Sequence, residues 1–131
     1  MAPMRGLHLT RPDDGPWLIE LDGEQDLATS VPLRDALIEA AEARRPVVLE
    51  LSVVSFIDST ILGVILGGLR RAKELELGYA LVIADEPSAA VPRLLEITGL
   101  RAIFPIFLSR ADALASAGAG HNEPALPDPA A

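Results

Sequence analysis

Cysteine is absent from the chain, which excludes a disulfide framework, thiol catalysis and Cys-ligated metals, and suits the reducing cytoplasm expected as its location. Lysine is nearly absent too: Lys73 stands alone among arginines, and the formal net charge is −8. That balance repels phosphate backbones and anionic lipid heads, so neither nucleic-acid binding nor membrane-surface binding is expected. One Trp, one Tyr and three Phe leave a core to be built from Leu, Ile, Val and Ala. No apolar run approaches the roughly 20 residues that span a bilayer, so no membrane insertion is expected. The first residues, MAPMRGLHLTRPDD, lack a continuous apolar segment and are not read as a signal peptide.

Catalytic side chains are just as scarce. His8 and His121 are the only histidines, one in an expected edge strand and one in an expected tail, so no Ser-His-Asp arrangement forms around Ser59. GxxxxGK[ST] and GxGxxG are both missing, which removes the phosphate-cradling loops. A receiver-like phosphotransfer enzyme would need a carboxylate cluster for Mg²⁺ and a cation beside it, but LSRADAL after the last strand contains no lysine. The chain is therefore read as a non-enzyme with no cofactor and no metal.

Half of the 131 residues are hydrophobic, enough for one domain that buries about two-thirds of its unfolded surface. RGLHLT (5–10) and WLIELD (17–22) read as strands, with the breaker-rich RPDDGP (11–16) between them and DGEQD (22–26) as an acidic loop. From Thr29, the apolar spacing of Leu33, Ala36, Leu37, Ala40 and Ala41 marks a helix capped by Thr29 or Ser30. PVVLEL (46–51) is a strand, a helix runs from FIDST to about Leu75 with Gly78 ending it, and YALVIA (79–84) is a strand apolar on both faces. PSAAVPRLLEITGL (87–100) is a helix closing at Gly99, FPIFL (104–108) a last strand and SRADALASAG (109–118) a last helix. The domain is expected over 1–117, with 118–131 as a disordered tail.

Five strands alternating with four helices imply an α/β fold with a mixed, mostly parallel sheet. The loops after its parallel strands meet at one edge, where Asp22, Glu24, Asp26, Asp58, Asp85 and Glu86 would form an acidic rim. At its centre sits FIDSTILGVIL (56–66), an apolar run that holds Asp58, Ser59 and Thr60. Those three residues are strong N-caps for the helix that follows. A hydroxyl at a helix N-terminus is also a favourable place for a phosphate, whose roughly −1.5 to −2 charges would confront any docking partner. Gly63, Gly67 and Gly68 each cost a helix roughly 1 kcal/mol against Ala, which leaves two explanations open: close packing on the sheet, or contact with a partner.

GEQD (23–26) resembles the GELD of STAS domains, FIDSTILGVILGGLRRAK (56–73) resembles their F-x-D-S-S/T-G-L-G-x-L segment, and PSAAVPRLLEITGL is similar to their P-x-V-x-R-x-L-x-x-x-G-L helix. The three motifs occur in the family's order, and the resemblance runs from about Trp17 to Leu114, in particular to bacterial anti-sigma factor antagonists. It implies a STAS-like single domain that binds an anti-sigma factor serine kinase, frees the sigma factor for transcription, and is released when the kinase phosphorylates it. A phosphatase would reset the cycle. Carried over by position, Ser59 is the phosphoacceptor with Thr60 as the lesser alternative. Gly23, Glu24, Asp26, Asp58, Thr60, Ile61, Gly63 and Gly67 are the partner-binding set. Ile61 stands where the family has Gly, and a β-branched residue there is expected to add bulk beside Ser59. The alternative is a constitutive STAS scaffold of a stress-signalling complex or a lipid transporter, with the hydroxyls as caps only and Ile61 in a fixed apolar contact.

Overall fold

The computed structural model describes residues 6–125. Its elements are β1 (Leu7–Thr10), β2 (Trp17–Gln25), α1 (Leu27–Glu42), β3 (Val47–Ile57), α2 (Ser59–Leu75), β4 (Tyr79–Val82), α3 (Ala90–Thr98), β5 (Ile106–Phe107) and α4 (Arg110–Gly118). The sheet order is β1-β2-β3-β4-β5, with β1 antiparallel to β2 and every other neighbouring pair parallel. This is the mixed, mostly parallel α/β sheet that the strand–helix alternation implies.

Sequential strand order with right-handed crossovers puts α1, α2 and α3 on one face. There Leu33 and Leu37 from α1, Ile61, Ile65 and Leu69 from α2, and Val91 and Leu95 from α3 pack on Ile19, Leu21, Leu49, Leu51 and Leu81. The other face is covered by α4, whose Ala113 and Ala117 meet Val48, Ala80 and Val82. Tyr79–Val82 is buried throughout, as continuous apolarity requires of a strand covered on both sides.

Several boundaries differ from the expectation. β2 runs on through Gly23, Glu24 and Gln25, which are strand rather than loop, and β3 continues to Ile57. The extra length is a parallel two-stranded extension with register shifts, pairing Asp22 with Val53 and Glu24 with Phe56. α1 begins at Leu27, because Asp26 rather than Thr29 or Ser30 is the N-cap: its Oδ1 accepts from Ala28 N at 2.9 Å, and Thr29 Oγ1 accepts from Asp26 N at 3.0 Å. That reciprocal pair is a capping box.

α2 ends before Gly78, with Glu76 taking the left-handed cap conformation at φ 57°. Gly78 is needed elsewhere: a Cβ there would lie 1.8 Å from the Ala117 carbonyl oxygen, so only glycine lets α4 approach this closely. The segment after Gly118, expected as disordered tail, is fastened as far as Ala125. Tyr79 N donates to His121 O at 3.0 Å, Ile106 N donates to Ala125 O at 2.8 Å, and Asn122 Nδ2 donates to Leu77 O at 2.9 Å. The rest of that expected tail, 126–131, lies outside the described residues.

Candidate functional site

The junction between β3 and α2 carries the polar residues of FIDST. Ile57 is buried, Asp58 turns the chain in an extended conformation, and its Oδ1 accepts from Ile61 N at 3.1 Å. The carboxylate therefore supplies the cap. Among the described residues neither the Ser59 nor the Thr60 hydroxyl is engaged in a hydrogen bond. Ser59 at the first helical position is exposed and Thr60 is half-buried. Asp58 N donates to Gln25 O at 3.2 Å, and Gln25 stands in register with Ile57. The two acidic caps, Asp26 of α1 and Asp58 of α2, thus follow neighbouring strand ends at the carboxyl edge.

Ile61 is 0% exposed and sits in the core with Ile65 and Leu69. Its side chain points inward, so it neither crowds Ser59 nor offers a partner contact, contrary to its place in the expected partner-binding set. Helical spacing explains this: three residues past the cap, the chain has turned from the rim to the sheet.

The rim is partly as expected. Asp26, Asp58, Asp85 and Glu86 follow the ends of parallel strands, whereas Asp22 and Glu24 lie within β2. Alternation along β2 sends Asp22 and Glu24 to the face opposite buried Leu21 and Gln25, where they neighbour exposed Val53 and Phe56. Gly23, at φ 62°, supplies a left-handed conformation between them, with open space beside it. Glu86 accepts from Ser88 N at 3.2 Å and Ser88 Oγ at 2.9 Å; the backbone bond first, then the hydroxyl, hold its carboxyl below the ordinary range. Among the described residues no three His, Asp or Glu side chains gather as a metal site.

The structure divides the three glycines of α2. A Cβ on Gly68 would stand 2.6 Å from Tyr79 Oη and 3.0 Å from Leu37 Cδ1, which is close packing. A Cβ on Gly63 or Gly67 would meet nothing within 4 Å, and both are exposed. These two glycines belong to an open groove of about 420 Å³ between α1 and α2, with Ser59 and Thr60 in its lining and Arg34, Ile38 and Arg71 opposite and below.

Sequence reading missed the α1 side of this groove, formed by Arg34, Leu37 and Ile38, and the exposed row that two of them belong to. Leu27, Val31, Arg34 and Ile38 recur at i, i+4, i+7 and i+11, a second row beside the buried one, and the three apolar members are exposed. It also missed Arg110, which reaches from α4 to Glu50 Oε2 and Glu20 Oε2, both at 3.1 Å. Glu50 is buried and also accepts from the Ser52 hydroxyl; the hydrogen bond to Glu50, foremost, raises the Arg110 pKa.

The family model for the STAS domain matches residues 10–113. The chain is a member of the STAS domain family. This STAS chain is 35% identical over 102 residues to an anti-sigma F factor antagonist of Paenibacillus polymyxa, covering 76% of this chain and 85% of that one. It is similar to the crystal structure of an anti-sigma factor antagonist from Mycobacterium paratuberculosis, with TM-score 0.72, 27% identity, and coverage of 85% and 92% of the two chains. The fold is also that of the Bacillus cell fate determinant SpoIIAA in its phosphorylated form, with TM-score 0.63 at 18% identity over 83% of this chain and 96% of that one. Among the described residues no helix is long and apolar enough to cross a membrane.

Proposed function

We propose that this STAS domain is an anti-sigma factor antagonist that binds an anti-sigma factor kinase in the cytoplasm and is switched off by phosphorylation at Ser59, so regulating sigma-factor-dependent transcription. One observation carries the reading: Ser59 is exposed at the start of α2 while Asp58 supplies the cap. A hydroxyl not needed to hold the helix can be modified without unravelling it, and the helix N-terminus favours the added negative charge. The names of the Paenibacillus and Mycobacterium relatives support the same reading. Thr60, half-buried, is the alternative acceptor. Gly23, Glu24, Asp26, Asp58, Thr60, Gly63 and Gly67 remain as the partner-binding set, and a phosphatase would restore the binding form.

Incubation with the cognate kinase and ATP, followed by peptide mapping with mass spectrometry, tests the switch. Phosphate on Ser59 is expected; phosphate on neither Ser59 nor Thr60 sinks it. Ser59→Ala should bind the partner and resist modification, whereas Ser59→Asp should bind more weakly. The constitutive-scaffold alternative drew on a fixed apolar contact through Ile61, and that side chain is buried.

A further inference from the structure

We infer that the groove between α1 and α2 seats an amphipathic helix of the partner whose flanks carry carboxylates facing Arg34 and Arg71. This deepens the proposed function, since the helix would belong to the protein that Ser59 phosphorylation releases.

The first ground is shape. α1 and α2 both cross from the carboxyl edge back to the amino edge of the sheet, so they run parallel and leave a trough between them. From Ser59 to Arg71 the trough is about 18 Å long at 1.5 Å per residue, roughly the length of three helical turns. Gly63 and Gly67 present no side chain on its α2 side and have open space beside them, so a docked backbone can come close there. On α1, Ile38 lines the trough, and Leu27 and Val31 continue its row toward the start of the helix; the three are 49%, 71% and 57% exposed. Three large apolar side chains in one row at that exposure are an uncovered helix face, the kind that anchors a helix laid into a groove.

The second ground is charge. The chain carries −8, yet no acidic residue lines this groove, and its two charged members are both arginines. Arg34 makes no ion pair among the described residues, and Arg71 pairs only with Glu74 at an exposed site, 3.1 Å away. A basic or merely apolar occupant would leave Arg34 unpaired and Arg71 with only its exposed Glu74 partner, whereas carboxylates would pair with both in the fork geometry that arginine favours. The direction of the switch asks for the same sign. A phosphate on Ser59 would attract a basic helix and repel an acidic one, so release by charge calls for an acidic occupant.

Three synthetic helical peptides about four turns long test the assignment. They share one leucine face and carry Glu, Lys or Gln on its flanks, and affinity for the full chain is read by fluorescence anisotropy. The Glu peptide should bind, the Lys peptide should bind at least about tenfold more weakly, and Arg34→Glu with Arg71→Glu should reverse that order. Gly67→Leu should abolish binding with unchanged circular dichroism, since nothing lies within 4 Å of the added Cβ. Equal or tighter binding of the Lys peptide, indifference to Gly67→Leu, or no binding of any peptide at millimolar concentration overturns the assignment. So does self-association abolished by Gly67→Leu, because the occupant would then be a second copy of this chain. If the Glu preference holds but Ser59→Asp leaves it unchanged, the groove stands and release by phosphate falls.

Discussion

Alanine at Gly63, Gly67 and Gly68 is one chemical change at three positions of one helix, and the structure predicts opposite signs. At Gly63 and Gly67 an added Cβ meets nothing within 4 Å, so the variant gains the helix propensity of alanine, about 0.8–1 kcal/mol each. At Gly68 the same atom would lie 2.6 Å from Tyr79 Oη, 3.2 Å from Tyr79 Cε2 and 3.0 Å from Leu37 Cδ1. Tyr79 cannot yield cheaply, because it is buried and its hydroxyl donates to Ile65 O at 2.7 Å. Overpacking of a filled core costs about 1–3 kcal/mol and loss of that hydrogen bond about 1 kcal/mol more. Against a propensity gain of about 1 kcal/mol, Gly68→Ala should therefore be destabilising by about 1–3 kcal/mol. Urea unfolding of the three variants, with the slope held common, measures this. A stabilising Gly68→Ala, or weakening by Gly63→Ala and Gly67→Ala, would refute close packing at Gly68 and open space at the other two. On the proposed function, the two stabilising variants should bind the partner less well, since each puts a methyl into the groove.

Arg110→Met leaves Glu50 buried with only Ser52 for a partner, and should cost toward the low end of about 3–5 kcal/mol, because Arg110 is itself half exposed; Glu50→Leu in the same chain should recover most of the loss in thermal unfolding. Burial pushes the Tyr79 phenol far above its ordinary range, so above pH of about 10 the unfolded chain gives up a proton that the folded chain keeps, and stability should fall by about 1.4 kcal/mol per pH unit. Tyr79→Phe should remove that slope while losing about 1 kcal/mol at neutral pH, read by denaturant titrations at pH 8 to 11. Asp58→Ala removes the cap of α2 and should cost about 0.5–2 kcal/mol, with Asp58→Asn losing far less, both read by urea unfolding.

The parts of the fold that follow from periodicity were legible in the sequence. Leu33, Ala36, Leu37 and Ala40 repeat at helical spacing and are buried; Tyr79–Val82 is apolar throughout and is covered on both faces. The misreadings have physical causes. Gly, Asp and, to a lesser degree, Glu are poor strand residues, yet β2 persists from Asp22 through Gln25, because Gln25 is buried and its Nε2 donates to Gly6 O at 2.7 Å and Asp22 O at 2.8 Å. Thr29 looks like a cap by itself, but it serves as the third residue of a box whose cap is Asp26. Arg110, Glu20 and Glu50 are up to 90 positions apart in the chain, and no local pattern brings them together. Asp58 and Ser59 were readable as a capped helix start. That Gly63 and Gly67 are open while Gly68 is packed depends on where Tyr79 and Leu37 end up.

The site's electrostatics set how a phosphate on Ser59 can act. Asp26 and Asp58 already occupy the N-termini of α1 and α2, so the helix dipoles offer a further anion less than a bare N-terminus would. Ser59 is exposed, so water and salt screen repulsion between the phosphate and those two carboxylates. Both contributions to folding are small and opposed, and phosphorylation should shift the urea midpoint by the equivalent of less than about 0.5 kcal/mol. A docked partner would exclude that water and feel the full dianion, so the charge should act on affinity instead. Affinities of the phosphorylated and unmodified chains for the cognate kinase, measured from about 0.05 to 1 M salt, separate the possibilities, since the screening length falls from roughly 14 Å to 3 Å over that range. A gap between the two forms that narrows as salt rises fits electrostatic release. A gap that stays constant, or an unfolding midpoint that moves by several kcal/mol, would show that the phosphate works by bulk or by remodelling α2.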